Sequence, residues 1–241
     1  MKILPIDETP YVFEVTSELT GKGIGLFITV TSAHAEQAST ALKSQVILAQ
    51  RIAEFQNGHS TVNELELEVL AASSRIVGWD GITEPFTKEN ALTLCSTNPF
   101  IRHQILSVSN ELSVKLDTMV EGLINFAKHE LELSSKQKDG SSLKEQLESI
   151  KRQTGVTPPQ LECEPISNVV AYLWEFILDL NSTRQSGMGV SAISYTEIVS
   201  WCTLTGNKLS PYETRVIKML DRVFLEHYNK QSETESSKPS E

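Results

Sequence analysis

The sequence predicts a mainly α-helical protein with a small N-terminal β-hairpin, an α+β fold in two parts. Three observations predict it. Two short runs of aromatic and β-branched residues, Tyr11–Thr16 and Gly25–Thr31, flank a Gly-Lys-Gly triplet. Apolar residues recur at helical spacing through most of the remaining chain. Two polar breaks bearing proline and glycine separate a long first part from a short last one.

The hairpin comes first. Gly21-Lys22-Gly23 permits the positive φ angles that a tight turn between strands requires. A helix follows from about Ser32, a candidate N-cap, to Phe55, and Asn57-Gly58-His59-Ser60 ends it. Thr61 and Glu64 have the spacing of a capping box, in which hydroxyl and carboxylate each satisfy an exposed backbone N–H. Leu65, Val69, Ala72 and Ile76 then share one helical face. Gly78-Trp79-Asp80-Gly81 breaks that pattern, with Trp79 as an expected core anchor. A short helix is predicted over Thr87–Cys95. A longer one starts at Pro99, whose missing N–H suits the first turn, with Asn98 as its N-cap. Along it Leu112, Leu116, Met119, Leu123 and Phe126 make a stripe that is either a short coiled-coil seam or a face turned to the domain's own core.

Ser134–Gly140 reads as a polar linker. Ser142 and Glu145 cap a short helix carrying Leu143, Leu147 and Ile150, and the three prolines between Thr154 and Pro165 form a second break. Three helices follow. The first, about Asn168–Thr183, carries Leu173, Trp174, Ile177 and Leu180; the second opens on the Ser194/Glu197 box and ends at Gly206. The third opens on Ser210-Pro211-Tyr212-Glu213. The glycines in Ser186–Ala192 require a loop. Beyond Tyr228 the composition is polar and predicts disorder. The expected domains are 1–133, a linker with a short helix over 134–166, a three-helix domain over 167–228, and a tail over 229–241.

Composition narrows the function. Acidic residues outnumber basic ones 31 to 21, a formal charge of −10, which repels nucleic-acid phosphates. The three cysteines, Cys95, Cys163 and Cys202, are far apart and form no CxxC pair, so reduced thiols in a cytoplasm are expected. Met1–Thr9 holds Pro5, Asp7 and Glu8 where a secretion signal would carry an apolar run. No apolar stretch approaches the roughly 20 residues that span a bilayer. The Gly21–Gly25 segment lacks phosphate-loop spacing. Asp179–Val190 has Arg184 and Val190 where a calcium loop needs Gly and Glu. None of the five histidines pairs with another at i, i+4. The reading is a protein without catalytic, metal or cofactor residues.

Two stretches resemble the tail assembly chaperones of long-tailed bacteriophages. The first runs through Val77-Gly78-Trp79, then Pro85-Phe86-Thr87-Lys88-Glu89-Asn90-Ala91, then Pro99-Phe100-Ile101-Arg102-His103-Gln104-Ile105. It is similar to the run near the end of the family's shorter domain. The second covers Tyr172–Tyr228 and includes Leu173-Trp174-Glu175-Phe176, Ile193–Ile198, Trp201, Leu209–Glu213 and Met219-Leu220-Asp221. It is similar to the family's C-terminal extension, so the chain looks like the long form.

The resemblance implies a non-enzymatic protein of the host cytoplasm. Such a protein binds the tape measure protein, keeps that long helix soluble, recruits major tail tube protein subunits and is absent from the mature virion. It implies no cofactor, no nucleic acid and no membrane as partners. The chain itself, or a short form of its N-terminal domain, is a further partner. The competing expectations are a structural tail or connector component retained in the virion, and an unrelated enzyme or regulator. Candidate partner-binding residues are Arg184, Met188 and Tyr195 around the Ser186–Ala192 loop, and Leu116, Met119 and Leu123 on the long helix.

Overall fold

A computed structural model describes residues 5–55, 63–137, 139–184 and 190–236. It is α+β: a three-stranded antiparallel sheet near the N-terminus and, among the described residues, eight α-helices. Strands β1 (Tyr11–Thr16) and β2 (Gly23–Val30) form the expected hairpin. Gly21, at φ 65°, closes its turn. Helices α1 (Glu36–Phe55) and α2 (Glu64–Ser73) precede strand β3 (Ile76–Asp80), which pairs with the far side of β2. Helices α3 (Lys88–Thr97), α4 (Pro99–Ser134), α5 (Leu143–Thr154), α6 (Ala171–Ser182), α7 (Tyr195–Thr205) and α8 (Pro211–Ser236) complete the order.

The chain divides into two compact units, Met1–Leu116 with Ser210–Tyr212, and Asp117–Leu209 with Glu213–Glu241. In the first, Val15, Leu26, Ile28, Val30 and Ile76 turn inward from the sheet. They meet Val69 and Ala72 of α2, Ala91 and Cys95 of α3, and Ile105 of α4. Polar groups fix α4 in this unit. Thr16 lies beside a register shift in β1, and Gln104 takes up its backbone. The Gln104 amide accepts from the Thr16 N–H at 3.0 Å and donates to its carbonyl at 3.0 Å. Arg102, itself buried, donates to the Cys95 carbonyl at 2.8 Å, and Ser109 donates to Thr31 at 2.6 Å. Gly81 sits at φ 88°, and a Cβ there would lie 2.3 Å from the Gly25 carbonyl oxygen, so no other residue fits.

Several expectations change here. Ile76–Asp80 is a strand; Ile76 continues the α2 stripe only by coincidence of spacing, and pairing with β2 decides its conformation. Helix α1 begins at Glu36; the Ser32 hydroxyl donates to the Asp7 carbonyl at 3.0 Å and accepts from the His34 N–H at 3.2 Å, which holds a turn ahead of the helix. Asn63 caps α2, accepting from the Leu65 N–H at 3.1 Å; Thr61 lies outside the described residues. The division between units falls within α4, and 134–166 lies inside the second unit, where Leu147 of α5 is buried. Helix α8 continues past Tyr228 to Ser236, with Gln231 hydrogen-bonded to His227 one turn back.

Candidate partner-binding surface

Helix α7 is capped at both ends, and a buried ion pair ties Arg184, just past the end of α6, to α8. Ser194 and Glu197 form a full capping box: the Glu197 N–H donates to the Ser194 hydroxyl at 3.1 Å, and the Ser194 N–H donates to the Glu197 carboxylate at 2.6 Å. These bonds, the backbone one foremost, hold the Glu197 carboxyl below the usual carboxylate range. Gly206 ends α7 at φ 73°.

Asp221 of α8 is the centre of the network. Its side chain is 2 % exposed and accepts from Arg184 at 2.6 Å, from Lys218 at 2.9 Å and from the Ile193 N–H at 3.1 Å. Arg184 also donates to Asn181 at 2.9 Å and to the Ser191 carbonyl at 2.5 Å. Lys218 donates to the Ile193 carbonyl as well. Both flanks of the α6–α7 connection are thereby tied to α8 and to each other.

The candidate contact residues separate on this geometry. The structure turns Arg184 inward, with a side chain 7 % exposed, so it links Asn181 and Ser191 to Asp221 and offers no free charge. Tyr195 is 65 % exposed, and the Lys218 ammonium lies 5.8 Å from its ring centre. Met188 lies outside the described residues. Leu116 and Leu123 are buried and act as core. The buried face of α4 is Leu116, Val120, Leu123, Ala127 and Leu131, a 3.6-residue stripe, which leaves Met119 and Phe126 half-buried at its border. The a/d spacing predicted a different line because it drifts around the helix relative to this one. All three tryptophans are half-buried. Trp201 donates to Asp179 at 2.7 Å and packs edge-on to Phe176; Trp79 donates to the Glu84 carbonyl at 2.9 Å. A buried body with a paired indole N–H is the favoured placement of this side chain.

In the first unit, Leu70, Val77, Phe86 and Leu92 line a groove of about 450 Å³, with Lys88 and Glu89 at its polar rim. Sequence periodicity missed it, because it forms where α1, α2, α3 and β3 meet. Burial pushes the Cys95 thiol up to about 11, and raises Cys202 and Cys163 in direction, which disfavours reactive thiolates. No helix among the described residues is long and apolar enough to cross a membrane.

Residues 150–226, about a third of the chain, match the model of a family described as phage tail assembly chaperone. The match runs from the last turns of α5 through most of α8, and it supports the general role of a phage tail assembly chaperone that interacts with tail proteins. No curated protein and no solved structure matches the chain significantly.

Proposed function

We propose that this protein is a non-enzymatic phage tail assembly chaperone of the host cytoplasm. It binds the tape measure protein, keeps it soluble, recruits tail tube subunits and leaves before the virion is complete. The family match over 150–226 carries the reading. Two physical features support the division of labour. The groove lined by Leu70, Val77, Phe86 and Leu92 suits the apolar face of an amphipathic helix, the exposed surface of a tape measure protein. Helices α7 and α8 leave Tyr195, Val199 and Met219 exposed, an apolar surface for a second partner.

The test is co-expression with the tape measure protein of the same phage. The soluble fraction of that protein should rise with the chaperone present, and Leu92→Asp should abolish the rise while leaving the chaperone folded. An unchanged soluble fraction with the wild-type chain would refute the reading. Mass spectrometry of purified particles tests departure: stoichiometric recovery in virions would make the protein a retained tail component.

A further inference from the structure

The groove of the first unit rests on a connection whose shape is fixed from two sides. Residues 81–87 join β3 to α3, and Phe86 stands exposed among them. The Trp79 indole donates to the Glu84 carbonyl at 2.9 Å, and the Asn90 amide donates to the Pro85 carbonyl at 2.9 Å. Asn90 also gives its backbone N–H to the Thr87 hydroxyl at 3.1 Å. Three bonds thus hold Glu84, Pro85 and Thr87, the residues around Phe86. The Phe86 ring meets the Trp79 ring edge-on, with centres 5.2 Å apart. Phe86 lines the groove, whereas Trp79 and Asn90 do not.

Without these bonds the Phe86 ring would be free to settle onto the apolar Leu70, Val77 and Leu92. Held as it is, the ring is a standing wall, and less ordering is left to the binding step. The other lining groups are polar but carry no net charge: Gln37, Ser73, Ser74 and the opposite charges Lys88 and Glu89. That balance selects no ion; it matches an apolar stripe bordered by polar residues, the face of an amphipathic helix. We propose that Trp79 and Asn90 are positioning residues, which hold Phe86 as the wall that seats such a helix in the groove. Resting on the chaperone role proposed above, the helix belongs to the tape measure protein. At about 450 Å³ the groove takes a few of its side chains, spaced i and i+4, and not its whole length.

The test titrates the full-length chain with a labelled amphipathic-helix peptide from the tape measure protein of the same phage. Asn90→Ala removes one tie, and Trp79→Phe removes the indole N–H while keeping a ring. Each should weaken binding by roughly two- to tenfold, the worth of one hydrogen bond, although neither side chain meets the peptide. Phe86→Ala should weaken it at least as much. In the Phe86→Ala background Asn90→Ala should add little, because its effect runs through that ring. Thermal unfolding of Asn90→Ala should stay close to the wild type, since Glu84 and Pro85 are exposed and their carbonyls can turn to water. A peptide with proline at its centre should bind more weakly, because it cannot keep the helix.

Binding that Asn90→Ala and Trp79→Phe leave unchanged would overturn the positioning role and leave the chaperone role standing. Equal losses from Asn90→Ala with and without the Phe86 ring would overturn it too. Undiminished binding of the proline peptide would overturn the helix as occupant. If the wild type binds no peptide and instead self-associates in a way that Phe86→Ala abolishes, the groove belongs to a second copy and the proposal is overturned. If it binds no peptide yet still solubilises the tape measure protein on co-expression, only this inference falls; failure of both would overturn the chaperone role as well.

Discussion

Replacing Asp221 by Asn tests whether the Arg184–Asp221 pair organises the α6–α8 unit. The substitution keeps shape and removes charge. Three donors converge on the carboxylate: Arg184 at 2.6 Å, Lys218 at 2.9 Å and the Ile193 N–H at 3.1 Å. An amide has one acceptor oxygen and would turn its NH₂ toward another donor. The Arg184 guanidinium, on a side chain 7 % exposed, would keep its charge without a counterion. Breaking a buried pair by removing one partner costs about 3–5 kcal/mol. Scaled by the unfolding entropy of a domain of this size, at about 2–4 °C per kcal/mol, that is a fall in Tm of roughly 6–20 °C. Urea unfolding followed by circular dichroism gives the free energy, with the m-value as the check on two-state behaviour. Arg184→Met with Asp221→Leu should recover much of the loss, because it removes the buried charges together. A loss below about 1 kcal/mol for Asp221→Asn would refute the claim that this pair is a buried, uncompensated dependency.

Two further outcomes follow from named groups. Ser210 donates to the fully buried Asp7 carboxylate at 2.6 Å, so Ser210→Ala should cost about 1.5–3 kcal/mol in urea unfolding and Ser210→Thr much less. Burial lowers the His227 pKa below its ordinary value, with Lys230 acting in the same direction and Glu132 opposing. Its folded form therefore prefers the neutral ring. The stability it contributes is present above the unfolded value of about 6.5 and is lost as pH falls through the lower folded value. Melting followed across that window should show the loss, and His227→Gln should flatten it.

Local signals were legible in the sequence where a short-range bond decides the backbone. The boxes Ser142/Glu145 and Ser194/Glu197 and the Gly206 stop are all of this kind. What could not be read depends on partners distant in sequence. β3 is five residues whose apolar spacing fits a helix as well as a strand, and only β2 settles it. Arg184 stands beside a glycine-rich loop and looks exposed, yet its counterion lies 37 residues away. The α4 stripe was offset because a run of apolar residues with more than one helical face does not announce which face is covered. The groove at Phe86 and Leu92 is assembled from four elements, and no single window of sequence contains it.

The motifs that carry the family resemblance turn out to be mostly internal fittings. Thr87 caps α3 and Asn90 donates to the Pro85 carbonyl at 2.9 Å. Arg102 and Gln104 anchor α4 to α3 and β1, and Asp221 gathers the ends of a loop. Such residues specify a scaffold, since changing any of them strands a polar partner inside it. They say little about what the scaffold holds. Exposed positions bear that burden: Tyr195 is 65 % exposed and Val199 64 %, so the interior of the fold does little to dictate their identity.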